Sequence, residues 1–441
     1  MPEEHAINSV NKHYLDKLMN LAEEAHIQAT EDIFDARGMK LVAKGTRISN
    51  TLQERLMARR LNKPFESSIA VESGVDIDIV AREARRIAEA VGPVRSMLAA
   101  TRGGPSPLQI LSEIRFGSAM STMLTIIDRG GASALEHSVM VSLLSVCLAR
   151  AFGLGIREQT MVAVAGLLHD IGELYIEPEY LNSRRRLFPH EWRHVAVHPR
   201  IGQMLIANLE SYPPAVAQAV FEHHERFDGG GYPRRLAGND ISAAGQVISV
   251  AEMISGVFTS KSRPLERAEL ALKIVPGEHA HDLVSAVSSA MQGARVRQED
   301  DVAPPSAGKG DQRDHARQLY ERIGSVLESG SQLVGHFGAK SQRLAHLLTA
   351  ALRRTSIVQR AFSSTGLDVC MDEGNGFFET RSAEILFEAT VAINEIQWRL
   401  RDIARDLSLH ASALEPDEAE MLEPLIALLD GESVTNQPQA A

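Results

Sequence analysis

The spacing of apolar and polar residues predicts a small mixed unit at the start of the chain. Residues 14–25 have the spacing of an amphipathic helix, and residues 32–46 hold two short apolar runs that flank glycine turns, as in a β-hairpin. A second helix is expected from Ser49 or Asn50, because either side chain can act as an N-cap. Residues 1–75 are therefore predicted to form a small α+β adaptor domain with no visible chemistry.

The central part of the chain is predicted to be helical throughout. A helical run at residues 77–100 leads to a Gly-Gly-Pro break at residues 103–105. From there to about residue 292, apolar residues recur every three or four positions between Gly and Pro breaks. Together these stretches predict an all-helical domain at residues 76–292.

The last part of the chain changes character twice. Residues 293–315 are rich in Gly, Pro and charge, which predicts a flexible linker. Residues 316–430 return to helical spacing, with stripes such as Leu344 and Leu348, and predict a helical bundle. This bundle could form a homodimer, bind a signalling partner, or simply pack its own core. Residues 431–441 are expected to be a disordered tail, and the fold class is mainly α.

Composition is that of a soluble globular protein. The 441 residues are 44% hydrophobic and 23% charged, and this length predicts two or three domains. The presence of only two cysteines, Cys147 and Cys370, excludes a disulfide scaffold and a cysteine-rich zinc module. Both lie in apolar stretches and are expected to be buried, reduced thiols.

Net charge restricts the partners. A formal charge of −11 argues against DNA, whose binding needs a basic surface, whereas a small anion can still bind in a locally positive pocket. Residues 1–4 lack the pattern of a secretion signal, and the longest apolar run, residues 162–168, is too short to span a bilayer. We therefore expect a cytoplasmic protein without a membrane span.

The run at residues 223–233, His-His-Glu-Arg-Phe-Asp-Gly-Gly-Gly-Tyr-Pro, carries the strongest chemical signal. Two adjacent imidazoles before a glycine-rich turn have little packing value, although a polar helix end that enters a loop has the same pattern. Borderline divalent metals favour histidine and carboxylate ligands. Glu225 and Asp228 lie close by in sequence and could orient the free ring nitrogens of His223 and His224 as hydrogen-bond acceptors.

Other histidines and acids flank this run. They are His137, the pair His169-Asp170, His198 and, downstream on an apolar helix, Glu252. Each histidine alone is also compatible with a satisfied helix-end histidine. Adjacent helical residues diverge by about 100°, so His169 can bind one metal while the Asp170 carboxylate bridges to a second. The order of these elements predicts a metal site collected from several helices, and a hydrolase.

These motifs, in this order, resemble the HD-GYP family, the branch of the HD phosphohydrolase superfamily that hydrolyses cyclic di-GMP. The resemblance covers residues 110–290, and residues 223–233 match the namesake motif throughout. The other matching segments are His169-Asp170-Ile171-Gly172, Glu191-Trp192 and His198-Pro199-Arg200-Ile201-Gly202.

The resemblance implies an all-helical HD-type metal-binding domain with two divalent ions, iron or manganese. It implies hydrolysis of cyclic di-GMP by attack of a metal-bridging hydroxide, with His169 and Asp170 as the catalytic pair and Asp170 as the bridge. The residues implied at the substrate are Gly231, Tyr232, Pro233 and Arg263. The implied metal ligands are His137, His169, Asp170, His198, His223, His224 and Glu252.

Several positions depart from the family pattern. Glu173 stands where the family has lysine, Glu252 where it has aspartate, and Ser255 where it has a second acid. Ser133 stands where some members have a glutamate that binds a third metal. These changes favour two metals over three. They also leave open a second interpretation, a catalytically degenerate relative that acts as a cyclic di-GMP sensor or signalling scaffold.

Two groups of arginines have open roles. Arg184, Arg185 and Arg186 lie in a loop where they could contact phosphate or guanine, or simply form a solvated basic loop. The arginine–proline pair that follows the last acid in the family appears as Arg263-Pro264, a few residues later than usual.

Overall fold

The computed structural model describes residues 9–130, 134–182, 185–259, 262–295, 309–337, 341–368 and 383–431. Ser133, Arg184 and Cys370 lie outside these ranges, as do residues 432–441 of the predicted tail. Most of the described chain is helical, and short strands occur near its start. The predicted mainly α fold is confirmed.

The N-terminal part combines one long helix with two small antiparallel strand pairs. Helix α1, Lys12–Glu24, is capped by Asn11, whose side chain accepts from the Tyr14 amide at 3.0 Å. The paired strands are β1 (Ile27–Ala29) with β4 (Ile69–Val71), and β2 (Ile33–Phe34) with β3 (Lys40–Val42). The pair β2–β3 is the hairpin expected at residues 32–46. Helix α2, Gln53–Met57, follows it.

The central part is built from helices α3 to α14. Their bounds are α3 Ile77–Ala90, α4 Gly92–Ala100, α5 Pro107–Ser112, α6 Ser118–Arg129, α7 Ala134–Ala151, α8 Ile156–Leu168, α9 Trp192–Val195, α10 His198–Leu209, α11 Pro214–Glu222, α12 Ala243–Phe258, α13 Pro264–Lys273 and α14 His281–Arg295. Short 3-10 helices at Ile171–Tyr175, Pro178–Leu181 and Pro189–Glu191 fill the connection from α8 to α9. Proline opens α5, α11 and α13, where its missing N–H would have no helical partner.

One continuous hydrophobic core joins the N-terminal part to these helices. It includes Tyr14 and Leu18 of α1 together with the buried faces of α7, α8 and α12. At the junction, the Val75 amide donates to Thr125 Oγ1 of α6 at 2.8 Å. The N-terminal residues thus pack as a layer on the helical domain. Within the described residues, one core spans the predicted domain boundary at residue 75.

Helix α7 lies at the centre of this core. Its 18 residues are long and apolar enough to cross a membrane by length and composition alone. However, 72% of them are buried inside the protein, as in the interior helix of a folded domain.

The C-terminal helices form a bundle with a core of its own. They are α15 Lys309–Phe337, α16 Gln342–Ser364, α17 Ala383–Ala411 and α18 Pro416–Asp430. Residues such as Ile323, Leu348 and Leu400 fill that core. The bundle is tied to the central domain by a buried ion pair in which Arg399 Nη2 of α17 lies 2.6 Å from Glu278 Oε2.

The predicted linker at residues 293–315 is helical at both ends. Helix α14 continues to Arg295, whose guanidinium pairs with Glu269 of α13, and this anchor explains why the helix extends past residue 293. Helix α15 begins at Lys309. Residues 296–308 lie outside the described ranges.

Candidate metal centre

Seven predicted ligand side chains come together where the ends of several helices converge. Helices α7, α8 and α12 pack against one another through their apolar faces, and α11 packs on α8, α10 and α12. The seven residues are His137 near the start of α7, His169 and Asp170 after α8, His198 at the start of α10, His223 and His224 after α11, and Glu252 in α12.

The carboxylate of Asp170 lies between two groups of ligand atoms. Its Oδ2 is 2.9 Å from His169 Nε2 and 3.7 Å from His137 Nε2. Its Oδ1 is 3.3 Å from His198 Nε2 and 3.5 Å from His223 Nε2. Within each group, the ligand atoms lie within 4.8 Å of one another. One carboxylate oxygen faces each group, which is the arrangement of a bridging ligand.

Glu252 belongs to the first group. Its Oε2 is 3.0 Å from His137 Nε2 and 3.2 Å from His169 Nε2, yet this buried oxygen has no well-oriented hydrogen-bond donor among the described residues. A buried polar atom without a partner is costly. A cation beside these two imidazoles would satisfy it.

Three imidazoles are held in one orientation by backbone carbonyls. His169 Nδ1 lies 2.9 Å from the Gly166 carbonyl, and His198 Nδ1 lies 2.8 Å from that of Val195. His223 Nδ1 contacts the carbonyl three residues before it in the same way. Because a carbonyl can only accept, each Nδ1 carries a proton and each Nε2 is directed at the centre, where its lone pair would bind a metal. This is the second contact typical of metal-bound histidine.

Ring-nitrogen spacing also fits an ion. His137 Nε2 and His169 Nε2 are 3.3 Å apart, and His198 Nε2 and His223 Nε2 are 3.2 Å apart. Two nitrogens that bind one ion at about 2.1 Å, at about 90–109° to each other, are separated by about 3.0–3.4 Å. The donor set therefore fits divalent metal binding.

Electrostatics distinguish the histidines of the centre from one another. Burial disfavours charge on His137, but Asp170 and Glu252 outweigh it and raise the pKa of His137 to about 9. The same two acids raise the pKa of His169. Burial lowers the pKa of His224 well below its usual value. Burial also lowers the pKa of His223, whereas Asp170 outweighs burial at His198 and raises its pKa. His223 and His224 therefore present neutral imidazole, whereas His137, His169 and His198 must release protons when a metal binds.

The glycine-rich turn closes over the second group. The Tyr232 ring stacks on His224 with centroids 4.6 Å apart, and Trp192 meets Tyr232 edge-on at 5.6 Å. A Cβ at Gly231 would lie 2.3 Å from the Arg226 amide nitrogen, so only glycine lets the turn cross this close to the preceding backbone. The bond between Tyr232 and Pro233 is cis.

Two motif glycines set the distance between the helix ends. A Cβ at Gly172 would lie 2.1 Å from the His198 carbonyl oxygen and 2.9 Å from the Gly202 amide nitrogen. The 3-10 helix after Asp170 therefore crosses the first turn of α10 in direct backbone contact. This contact explains the glycine at position 172, whereas a Cβ at Gly202 would lie 3.0 Å from the Val220 side chain.

Glu225 and Asp228 do not orient the histidine rings, and that prediction was wrong. Glu225 accepts from the amides of Arg234 at 2.7 Å and Leu236 at 2.9 Å, and Asp228 accepts from the Gly230 amide at 2.9 Å. Both acids are used to hold the turn, because backbone amides in a loop have no other partners. Backbone carbonyls orient the rings instead.

Arg263, implied by the resemblance to contact the substrate, contacts other protein residues in the structure. It precedes α13 with a left-handed backbone and pairs with Glu266 at 3.4 Å. Its guanidinium packs over the Phe387 ring of α17 at 5.2 Å. Arg263 thus joins the central domain to the C-terminal bundle.

Ser255, the residue at the position of the family's second acid, contacts the first group. Its Oγ donates to the Glu252 carbonyl at 2.8 Å and lies 3.5 Å from His137 Nδ1. It is fully buried and cannot supply the charge of the missing acid.

A cavity of about 540 Å³ opens beside the first group, and one of its walls is the N-terminal helix. His137, Asp170 and Glu173 line it together with Lys17 and Glu24 of α1. Sequence reasoning missed Lys17, which lies 156 residues from Glu173 in the chain and carries no motif. Only the packing of α1 on the central domain brings it to this wall.

The family match lies in the central part of the chain. The HD domain family matches residues 122–279. A 3'3'-cGAMP-specific phosphodiesterase of Vibrio cholerae is 29% identical over 32% of this chain and 30% of that protein. A cyclic di-GMP phosphodiesterase of Pseudomonas aeruginosa is 32% identical over 28% of this chain and 30% of that protein. A cyclic di-GMP phosphodiesterase response regulator of Xanthomonas campestris is 30% identical over 32% of this chain and 36% of that protein.

The match thus spans about a third of the length of these relatives. A solved structure of an HDGYP-type protein from Bdellovibrio bacteriovorus aligns with 64% of this chain and 98% of its own, at 15% identity and a TM-score of 0.31, too loosely to add to the assignment. The HD domain match, the matching relatives and the intact motifs at the centre agree with one another. Residues 122–279 thus match the HD domain family, and the relatives and motifs there support a resemblance to its HD-GYP branch.

Proposed function

We propose that this chain is a metal-dependent phosphodiesterase that hydrolyses a cyclic dinucleotide, with cyclic di-GMP as its substrate. The observation that carries the proposal is the position of Asp170, with Oδ2 toward His137 and His169 and Oδ1 toward His198 and His223. Relatives named as cyclic di-GMP and 3'3'-cGAMP phosphodiesterases support the substrate class.

Two divalent ions, iron or manganese, are proposed for the centre. His137, His169 and Glu252 would hold one, and His198, His223 and His224 the other, with Asp170 shared. When bound, such ions supply Lewis-acid stabilisation of charge on a phosphodiester. His169 and Asp170 are proposed as the catalytic pair because they lie at the junction of the two groups.

The chain's own residues would position the substrate. Tyr232 is held against His224, and with Gly231 and Pro233 it would form a rigid wall next to the second group. In the cavity beside the first group, the Lys17 ammonium would attract a phosphate oxygen, a role that Glu173 cannot perform. Arg263, engaged with Glu266 and Phe387, would act on substrate only through a rearrangement of the α13–α17 contact.

A turnover assay combined with metal analysis tests the proposal. Protein prepared under reducing, anaerobic conditions should contain two metals per chain and convert cyclic di-GMP to the linear dinucleotide or GMP. The double variant His169→Ala with Asp170→Ala should lose both properties. The matched control is His281→Ala, at an exposed histidine outside the centre.

A metal-free chain that binds cyclic di-GMP without cleaving it would contradict the proposal. That result would establish the alternative, a sensor or scaffold, which Glu173 and Ser255 favour. Hydrolysis of another phosphodiester but not of cyclic di-GMP would refute the substrate and retain the reaction class.

A further inference from the structure

A second cavity, of about 500 Å³, lies between the loop that follows the 3-10 helix Pro178–Leu181 and the C-terminal bundle. Arg185 and Arg186 form its loop side, and Arg401 and Arg405 of α17 face them across it. None of the seven candidate metal ligands lines this cavity, which has only Leu181 in common with the lining of the cavity at the metal centre. It is therefore a separate feature of the fold.

The charges in this cavity do not balance. Arg186 pairs with Asp430, and Arg185 pairs with Glu191. Within the described residues, Arg401 and Arg405 have no carboxylate within ion-pair distance. Two guanidinium charges thus have no carboxylate partner in a chain whose formal net charge is −11, and that of Arg405 packs over the Trp192 ring at 4.5 Å.

Several guanidinium nitrogens here are buried and unpartnered. Arg185 Nη1, Arg401 Nε and Arg405 Nε have no hydrogen-bond partner among the described residues. Arg322, on the neighbouring helix α15, has the same deficit at Nε and Nη2. Burial lowers the pKa of Arg322, and the nearby charge of Arg401 lowers it further while Asp430 opposes the change. Buried donors without acceptors and crowded like charges are both costly, and an anion would relieve both.

From this cluster we infer that the cavity binds a diphosphate group, with Arg185 and Arg186 on one side and Arg401 and Arg405 on the other. Arginine forks match the oxygens of phosphate, and two pairs of forks suit two linked phosphates. The volume lies within the range of about 300–1,000 Å³ that is typical of small-molecule sites.

The diphosphate could be free pyrophosphate or part of a nucleoside diphosphate. Tyr180 also lines the cavity, and Arg185 lies 5.8 Å from its ring centroid, so an aromatic plane is available for a base. Titration with pyrophosphate and with GDP separates the two sources. Tighter binding of GDP would show that the base contributes to affinity. Equal or tighter binding of pyrophosphate would show that the phosphates alone are recognised.

The test is calorimetric titration of the full-length chain with pyrophosphate. Arg401→Gln removes an unmatched guanidinium and should weaken binding at least about tenfold, which corresponds to about 1.4 kcal/mol. Arg343→Gln, at an exposed arginine of the same bundle, is the matched control and should bind as the wild type does. Arg401→Lys should recover part of the affinity.

Binding that survives Arg401→Gln would overturn the inference. If that binding is lost with His198→Ala, the anion binds at the metal centre instead. Absence of binding at about 1 mM pyrophosphate would also overturn it.

Thermal unfolding gives a second, independent test, because Arg401→Gln should weaken ligand binding without lowering the ligand-free Tm. Without ligand, Arg401→Gln removes a repulsion with Arg186 and Arg322 and should leave Tm unchanged or raise it. With pyrophosphate, the wild type and Arg343→Gln should gain Tm, and Arg401→Gln should not. A fall in the ligand-free Tm of Arg401→Gln would show that this guanidinium serves the fold, and the site would be refuted.

Discussion

The Lys17 ammonium of helix α1 donates to the backbone carbonyl of Glu173 at 3.0 Å. It also reaches the carbonyls of Leu174 at 3.1 Å and Ile176 at 3.2 Å, so that one side chain caps the end of the 3-10 helix that follows Asp170. Both Lys17 and Glu173 line the cavity beside the first ligand group. Where the family has lysine in its motif this chain has Glu173, and the N-terminal layer brings a different lysine to the same wall.

Replacement of Lys17 should affect both stability and substrate affinity. Lys17→Met leaves three carbonyls without their charged donor and should lower the free energy of unfolding by about 1–3 kcal/mol. It should also raise KM for cyclic di-GMP by about tenfold, with a smaller effect on kcat. The matched control is Lys12→Met, at an exposed position on the same helix. Equal KM values for the two variants would remove Lys17 from the substrate wall.

The pH dependence of KM should report Lys17 as well. Burial lowers its pKa to about 8, and the Glu173 carboxylate only partly opposes this effect. The ammonium is therefore present below pH 8 and lost above it, so KM should rise as pH increases through about 8. The rise should vanish in Lys17→Met. A wild-type profile that stays flat from pH 7 to 9 would contradict this assignment.

Replacing single ligand residues should lower the number of metal ions per chain by an amount that depends on the group each residue belongs to. His137→Ala should lose one ion per chain, because it removes a ligand from the first group alone, and His198→Ala should lose one from the second group. Asp170→Asn should lose both, since its two oxygens face both groups. Elemental analysis of anaerobically purified protein measures this, with His281→Ala as the unaffected control. Full metal content in Asp170→Asn would contradict the bridge.

Adding a methyl group at Gly172 should disrupt the centre from outside it. Its Cβ would lie 2.1 Å from the His198 carbonyl oxygen, so Gly172→Ala must push α10 away, at an expected loss of about 1–3 kcal/mol. Metal content should fall with it. In Gly256→Ala, the matched control on helix α12, the new methyl meets open space and should stabilise the helix by about 0.5–1 kcal/mol. Chemical denaturation compares the two, and equal effects would refute the packing argument.

The ion pair between Glu278 and Arg399 should make the free energy of unfolding depend on pH in the acidic range. The guanidinium of Arg399 overcomes the burial of Glu278 and lowers its pKa from about 4.5 to about 2. The unfolded chain therefore binds more protons than the folded one between these values, so stability is fully present above about pH 5 and falls as pH decreases toward 2, by about 3 kcal/mol.

Glu278→Gln should flatten that part of the stability profile, and Glu420→Gln, at an exposed acid of α18, should not. Denaturation measured at several pH values provides the test. A Glu278→Gln profile that keeps the full acid-dependent loss would assign it to other carboxylates.

Much of the metal centre could be predicted from the sequence. Residues 223–233 and the pair His169-Asp170 have long motifs with a defined order, and the structure brings the predicted ligands together in two groups. The helical character of the central and C-terminal parts was equally predictable, because apolar spacing reports which face of a helix is buried.

Contacts between parts that are distant in sequence could not be predicted. Spacing along one helix identifies its buried face but not the partner of that face, so the approach of Lys17 to Glu173 had no signal in the motifs. The same holds for Arg401, which only the docking of α17 brings opposite Arg185 and Arg186. The sequence by itself determined the helices and the ligand types. The tertiary structure decided which side chains beyond those motifs share a cavity, because long-range packing depends on the shape and charge of both surfaces at once.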